Sequence, residues 1–139
     1  MTHSPTRILV VDDNEDAATM TCYLLDVLGY CTRAAFSAAE ALDCADSFAP
    51  DVVFLDLSMP DMSGLTAAPL LRARCPQALH IVALSALGDA SIREQTKRAG
   101  FNGHLLKPAK LEDLVTAVEH RDASAGASKL LRVLSGHGA

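Results

Sequence analysis

The sequence predicts an α/β fold: a doubly wound, five-stranded parallel sheet with helices on both faces. Two observations lead there. Short apolar runs alternate five times with stretches of helical character, and near-continuous apolar runs mark strands buried on both faces. Four of these runs also stop on a charged or hydroxyl side chain. In an open α/β sheet the carboxyl edge of the strands is where ligands bind.

The first strand is Arg7-Ile8-Leu9-Val10-Val11, which runs straight into Asp12 and Asp13. From Asn14 to Leu28, apolar residues at Ala17, Met20, Leu24, Val27 and Leu28 recur at helical spacing, and Gly29 stops the helix. Tyr30 to Ala35 alternates weakly, as an edge strand does. Ser37-Ala38-Ala39-Glu40 is a capping box. It opens a helix that turns Ala41, Leu42, Ala45 and Phe48 inward and ends before Pro50. The third strand, Val52 to Leu55, ends in Asp56, with the turn residues Pro60, Asp61, Ser63 and Gly64 close behind. Leu65 to Arg74 reads as a helix closed by Pro76. Pro69 lies inside it and predicts a late start or a kink, because proline interrupts the helical ladder. His80 to Leu84 is a buried strand ending in Ser85. Asp89 to Ala99 is a mostly polar helix with Ile92 and Ala99 as its inward residues, capped by Gly100. Gly103 to Leu106 is a short strand ending in Lys107, followed by Pro108. Leu111, Leu114, Val115 and Val118 mark the last amphipathic helix. Residues 122–139 read as a flexible tail, with a linker-like run at Ala123–Ser128 and an apolar segment at Lys129–Leu134. The other reading of that segment is a helix that binds a partner.

Composition narrows the function. The chain has 139 residues, about one domain, and half of them are apolar, enough for a core. A net charge of −5 argues against nucleic acid as a direct partner. No stretch is apolar and long enough to span a bilayer, and the first six residues lack the apolar core of a signal peptide. A cytoplasmic location is expected. Cys22, Cys31, Cys44 and Cys75 form no CxxC pair, the histidines show no metal-ligand spacing, and no glycine-rich phosphate loop occurs.

Parallel strands bring Asp12, Asp13, Asp56, Ser85 and Lys107 to one edge. Like charges about 4 Å apart repel by about 4 kcal/mol per pair at an effective dielectric near 20. Three carboxylates together therefore call for protonation or a bound cation, and an all-oxygen site with room for water suits Mg²⁺. A carboxylate, a hydroxyl, an ammonium and Mg²⁺ suit phosphoryl transfer, with Asp56 attacking phosphorus to give an acyl phosphate. Taken one at a time, a strand-end aspartate or serine also serves as a helix or turn cap, and a lysine as a solvated surface group.

The set Ile8-Leu9-Val10-Val11-Asp12-Asp13, Leu55-Asp56-Leu57-Ser58-Met59-Pro60, Leu84-Ser85-Ala86 and Leu106-Lys107-Pro108 resembles the receiver domain of bacterial two-component response regulators. The resemblance covers roughly residues 6–120, and the implied receiver domain is set at residues 6–121. It implies a flavodoxin-like (CheY-like) sheet of order 2-1-3-4-5, an order that comes from the family and not from the residues themselves. It implies that Asp56 is the phosphoacceptor, and that Asp12, Asp13, Asp56 and the backbone carbonyl of Ser58 bind Mg²⁺, Asp12 largely through water. Ser85 moves toward the phosphoryl group, Lys107 pairs with it, and the Lys107–Pro108 bond is cis. The phosphoryl donor is a histidine kinase or a histidine phosphotransfer domain, and the surface of the fourth helix, fifth strand and fifth helix is the output face. One departure stands out. Three residues before the lysine the family usually has a switch aromatic, Tyr or Phe, where this chain has His104, as in receivers of the hybrid-kinase-associated type. The implied protein is a stand-alone receiver or a receiver cut from a larger protein, acting on its own phosphorylation and not as an enzyme on external substrates.

Two other functions fit parts of the pattern. One is a receiver-like interaction adaptor that is never phosphorylated. The other is an aspartyl-nucleophile phosphatase of the haloacid dehalogenase type, which needs a second aspartate two residues after the nucleophile; Ser58 stands there.

Overall fold

The computed structural model describes residues 5–75 and 78–121. Five strands and five helices alternate: β1 Arg7–Val11, α1 Glu15–Val27, β2 Cys31–Ala35, α2 Ala38–Phe48, β3 Val52–Asp56, α3 Gly64–Arg74, β4 His80–Ser85, α4 Ala90–Arg98, β5 Gly103–Leu106 and α5 Leu111–Glu119. The strands are all parallel, in the order β2-β1-β3-β4-β5. This is the doubly wound parallel arrangement that the alternation of strands and helices predicts, in the flavodoxin-like order that the resemblance implies. Pro76 and residues 122–139, read above as a helix stop and a tail, lie outside the described residues.

Strands at the centre are apolar because both faces are covered. Every residue of β3 is buried, and so are Ile8 to Val11 of β1 and Ile81 to Ser85 of β4. Alternate side chains of one strand serve opposite cores. Leu9, Val11, Val53, Leu55, Ile81 and Ala83 pack with α2 and α3 through Ala41, Phe48, Ala67 and Leu71. Ile8, Val10, Val52, Phe54, Val82 and Leu84 pack with α1 and α5 through Ala18, Leu25, Leu114 and Val118. The central strands thereby fix which residues reach the carboxyl edge and in what register.

The helix starts are local chemistry. Asn14, Ser37, Ser63 and Asp89 cap α1 to α4, each with a side-chain oxygen accepting a backbone N–H from the first turn. Gly29 follows α1 with φ +100°, a conformation costly for other residues.

Two expectations need correction, and a third, for α4, holds but needs an addition. The buried face of α1 is Ala18, Cys22 and Leu25, whereas Ala17, Met20, Leu24, Val27 and Leu28 are all exposed. Both sets recur at helical spacing, so periodicity alone could not choose between them. The late start foreseen for α3 does not occur: the helix begins at Gly64 with Pro69 on its exposed side. Ala67, Ala68 and Leu71 anchor that helix to the core, and tertiary packing outweighs the missing hydrogen bond. In α4 the buried residue is Thr96; Ile92 and Ala99 are only partly buried against the core. Thr96 escapes a search for apolar residues because it is polar; its hydroxyl donates to the Arg93 carbonyl, which lets it be buried.

Candidate functional site

Asp12 follows β1 directly and Asp56 is the last residue of β3, so two adjacent parallel strands deliver their acids side by side. Asp13 is next in the chain. One carboxylate oxygen from each of Asp12, Asp13 and Asp56 lies within 4.8 Å of the others. Asp12 and Asp56 are buried and Asp13 is exposed, which leaves the cluster one open side. The strand-end acids point to one place.

The protein supplies part of the compensating charge. Lys107, just past the end of β5, sends its Nζ to Asp12 Oδ2 at 3.0 Å and to Asp56 Oδ2 at 3.3 Å. The other oxygens are held by backbone: Asn14 N–H donates to Asp12 Oδ1 and Ser58 N–H to Asp56 Oδ1, both at 3.0 Å. Asp12 is therefore no helix cap; Asn14 has that role. Three carboxylates against one ammonium leave two negative charges uncompensated.

Burial pushes the Asp56 carboxyl above its ordinary value. The Ser58 N–H and the Lys107 charge oppose this, and the Asp12 charge adds to it. Burial alone would depress the Lys107 ammonium, but its bonds and attractions to Asp12 and Asp56 prevail and raise it. Lys107 is thus held charged beside a carboxylate that is costly to ionise.

Local structure keeps this geometry in place. Gly64 sits where a Cβ would meet the Asp56 carbonyl oxygen at 2.6 Å, so only glycine lets the start of α3 lie this close to the end of β3. Gly64 N–H also donates to the Leu57 carbonyl. Asp61, in the loop after β3, accepts from the Ala38 and Ala39 N–H groups and ties that loop to the start of α2. These bonds, the Ala38 one foremost, hold its carboxyl below the usual range. Sequence reasoning missed this brace, because 23 residues separate Asp61 from Ala38 and no local pattern links them. Arg72 was missed for the same reason. Its guanidinium bonds to the Leu79 and Gly100 carbonyls and to Asn102 Oδ1, joining α3 to the entry of β4 and to the connection between α4 and β5.

Ser85 ends β4 and is buried; its Oγ accepts from Leu87 N–H at 3.0 Å, and its carbonyl accepts from Lys107 N–H at 2.9 Å. The Lys107–Pro108 bond is cis. Ser58 meets Asp56 through its N–H. His104 is elsewhere: it is on β5 opposite Ala83 and lines a cavity of about 420 Å³ with Arg93, Thr96, Lys97 and Phe101. Its Nε2 is buried without a hydrogen-bond partner. Burial lowers its pKa, the Arg93 charge lowers it further, and a bond with the Leu87 backbone partly opposes them.

Comparisons with known proteins bear on the family and the fold. Residues 8–119 match the response regulator receiver domain family. The CAI-1 autoinducer sensor kinase/phosphatase CqsS of Vibrio cholerae serotype O1 is 34% identical over 114 residues, 81% of this chain and 17% of that protein. The DNA-binding response regulator MtrA of Mycolicibacterium paratuberculosis is 34% identical over 115 residues, 83% of this chain and 50% of that protein. The chain thus spans half or less of the length of these two curated relatives. Among solved structures, the chemotaxis protein CheY4 of Vibrio cholerae superposes with a TM-score of 0.79 at 26% identity, over 84% of this chain and 98% of that one. The receiver domain of NtrX from Brucella abortus gives 0.73 at 31% identity, over 81% and 95%. Family match, relatives and fold lead to one conclusion: this chain belongs to the response regulator receiver domain family of two-component signalling.

Proposed function

We propose that residues 6–121 form a cytoplasmic phosphoacceptor switch and that Asp56 takes a phosphoryl group from a histidine kinase or histidine phosphotransfer domain. The observation that carries this is the meeting of Asp12, Asp13 and Asp56 within 4.8 Å, with Lys107 bridging two of them. The donor set is oxygen only, open on the Asp13 side, and two charges short of neutral, which fits Mg²⁺. Asp12, Asp13, Asp56 and the Ser58 carbonyl would hold the ion, which when bound supplies charge neutralisation at the phosphoryl oxygens.

In the transfer, an Asp56 oxygen forms a bond to phosphorus as the P–N bond to the donor imidazole breaks, and the electron pair of that bond stays on the imidazole nitrogen. Lys107 already bridges Asp12 and Asp56 and keeps its charge, so it is placed to pair with a phosphoryl oxygen. Ser58 N–H, now on Asp56 Oδ1, fixes the carboxylate plane. Ser85 Oγ exchanges its bond from Leu87 N–H for one to the phosphoryl group. That movement, with His104 on the neighbouring strand, shifts the α4-β5-α5 face between two arrangements.

The test is labelling of the full chain by acetyl phosphate with Mg²⁺. The wild type gains a phosphoryl group that hydroxylamine releases, and Asp56→Asn gains none. Undiminished labelling of Asp56→Asn overturns the assignment. A folded wild type that neither labels nor binds beryllofluoride is an interaction adaptor instead.

A further inference from the structure

α1 shows solvent a surface that the fold does not use. Met20, Tyr23 and Val27 are 58%, 63% and 67% exposed, and Leu24 and Leu28 lie beside them. These five are most of the large apolar side chains that stand exposed among the described residues; only Leu70, Leu87 and Leu106 lie elsewhere. At 100° per residue they gather on the side opposite Ala18, Cys22 and Leu25, which face the sheet. Scattered exposed apolar residues need no explanation, but a contiguous stripe marks a binding surface. The helix holds no basic residue, and Asp16 lies on the same stripe one turn before Met20.

The chain itself carries a complementary segment. Lys129-Leu130-Leu131-Arg132-Val133-Leu134 holds four apolar residues and two cations. It lies beyond the described residues, but its point of departure is known. α5 ends beside the C-terminal end of α1: Tyr30 OH, just past α1, donates to a Glu119 carboxylate oxygen, and Arg121 reaches Thr6 Oγ1 at 3.5 Å. From Arg121, the seven residues 122–128 span at most roughly 23–25 Å. The stripe from Leu28 back to Met20 is about 12 Å long. Leu28 and Val27 are therefore nearest to that departure point and the whole stripe is within reach.

We propose that Lys129–Leu134 docks on the exposed α1 stripe of its own chain, its leucines and valine covering Met20, Tyr23, Leu24 and Val27 and a cation pairing with Asp16. A seven-residue tether makes this an intramolecular event at high effective concentration, so modest contact area is enough. α1 starts beside Asp12 and Asp13, and a docked segment competes with any protein that approaches the acidic edge along this helix. That consequence rests on the phosphoacceptor reading; the docking itself does not.

The test is NMR of the full, unphosphorylated chain. Expected are NOEs between the Tyr23 ring and the methyl groups of residues 130–134, unchanged on tenfold dilution. In Leu131→Asp/Leu134→Asp these NOEs vanish and the Met20, Tyr23 and Val27 signals shift, while the signals of β3 stay. The tail variant leaves the folded unit untouched, so loss of fold cannot imitate the result. NOEs that fade on dilution mean that a second copy covers the stripe, and overturn the proposal. So does a stripe whose signals ignore the tail variant, with no NOE to the segment. Because no phosphoryl donor is present, this outcome is separate from the fate of Asp56.

Discussion

His104 illustrates how one side chain can couple packing to proton concentration. A neutral imidazole has one nitrogen that accepts a hydrogen bond, and here the buried Nε2 finds no partner. Leaving such an atom unsatisfied costs about 1–3 kcal/mol. Protonation offers no escape, because burial and the Arg93 charge hold the folded pKa below the ordinary value, and Lys97 lines the same cavity. The sign follows from linkage. Above the unfolded pKa of about 6.5 both states are neutral and the group is without effect on the pH dependence. Below it the unfolded chain takes up the proton first, so stability falls as pH drops toward the lower folded pKa. Phe at this position fills the same space, with no nitrogen. His104→Phe is expected to be more stable than wild type by about 1 kcal/mol at pH 7.5, with a gap that widens between pH 6.5 and 5. Urea unfolding across that range measures it. A gap that stays constant with pH would show that the ring is not held neutral by the fold.

Among the elements, α3 and α1 show what patterns can and cannot reveal. The central strands β1, β3 and β4 were legible because a buried strand tolerates almost nothing but apolar residues, and an acid or a hydroxyl announces where each ends; the edge strands gave weaker signals, β5 through the lysine that follows it and β2 only through a faint alternation. The convergence of Asp12, Asp13, Asp56 and Lys107 was legible for the same reason: parallel pairing leaves strand ends no other place to go. The buried face of α1 was not, since Met20–Val27 and Ala18–Leu25 are both apolar at helical spacing and only the sheet decides between them. Nor were Asp61 and Arg72, whose partners are distant in sequence. In α3, Pro69 is exposed inside the helix and leaves the Leu65 carbonyl without its helical N–H donor. Proline costs up to about 3 kcal/mol in a helix interior, and an exposed alanine restores the bond without touching the core. Pro69→Ala is therefore expected to raise stability by about 1–3 kcal/mol. An unchanged or lower denaturation midpoint would mean that the helix relies on the proline for its path.

For the whole molecule, the acidic edge sets repulsion at the site against the stability of the fold. Two packed cores hold β1 and β3 side by side, and the price of that register is a pair of buried carboxylates next to a third. Lys107 offsets one charge, so this edge of the protein keeps a net negative charge. A cation that binds only the folded state stabilises it by RT ln(1 + [L]/Kd), about 2.7 kcal/mol at a hundredfold excess over Kd. Mg²⁺ is therefore expected to raise the unfolding midpoint in a saturable way, and chelation to reverse it. Asp13→Asn separates the two effects because Asp13 is exposed and its backbone bears none of the core. Without Mg²⁺ the variant should be more stable than wild type, since one repulsive charge is gone. With Mg²⁺ it should gain little, and the order of the two proteins should reverse. Thermal unfolding of both proteins at rising Mg²⁺, with Ca²⁺-free buffer and constant ionic strength, checks the crossing. Parallel curves that never cross would mean that Asp13 takes no part in holding the ion, and that the two uncompensated charges are relieved in some other way.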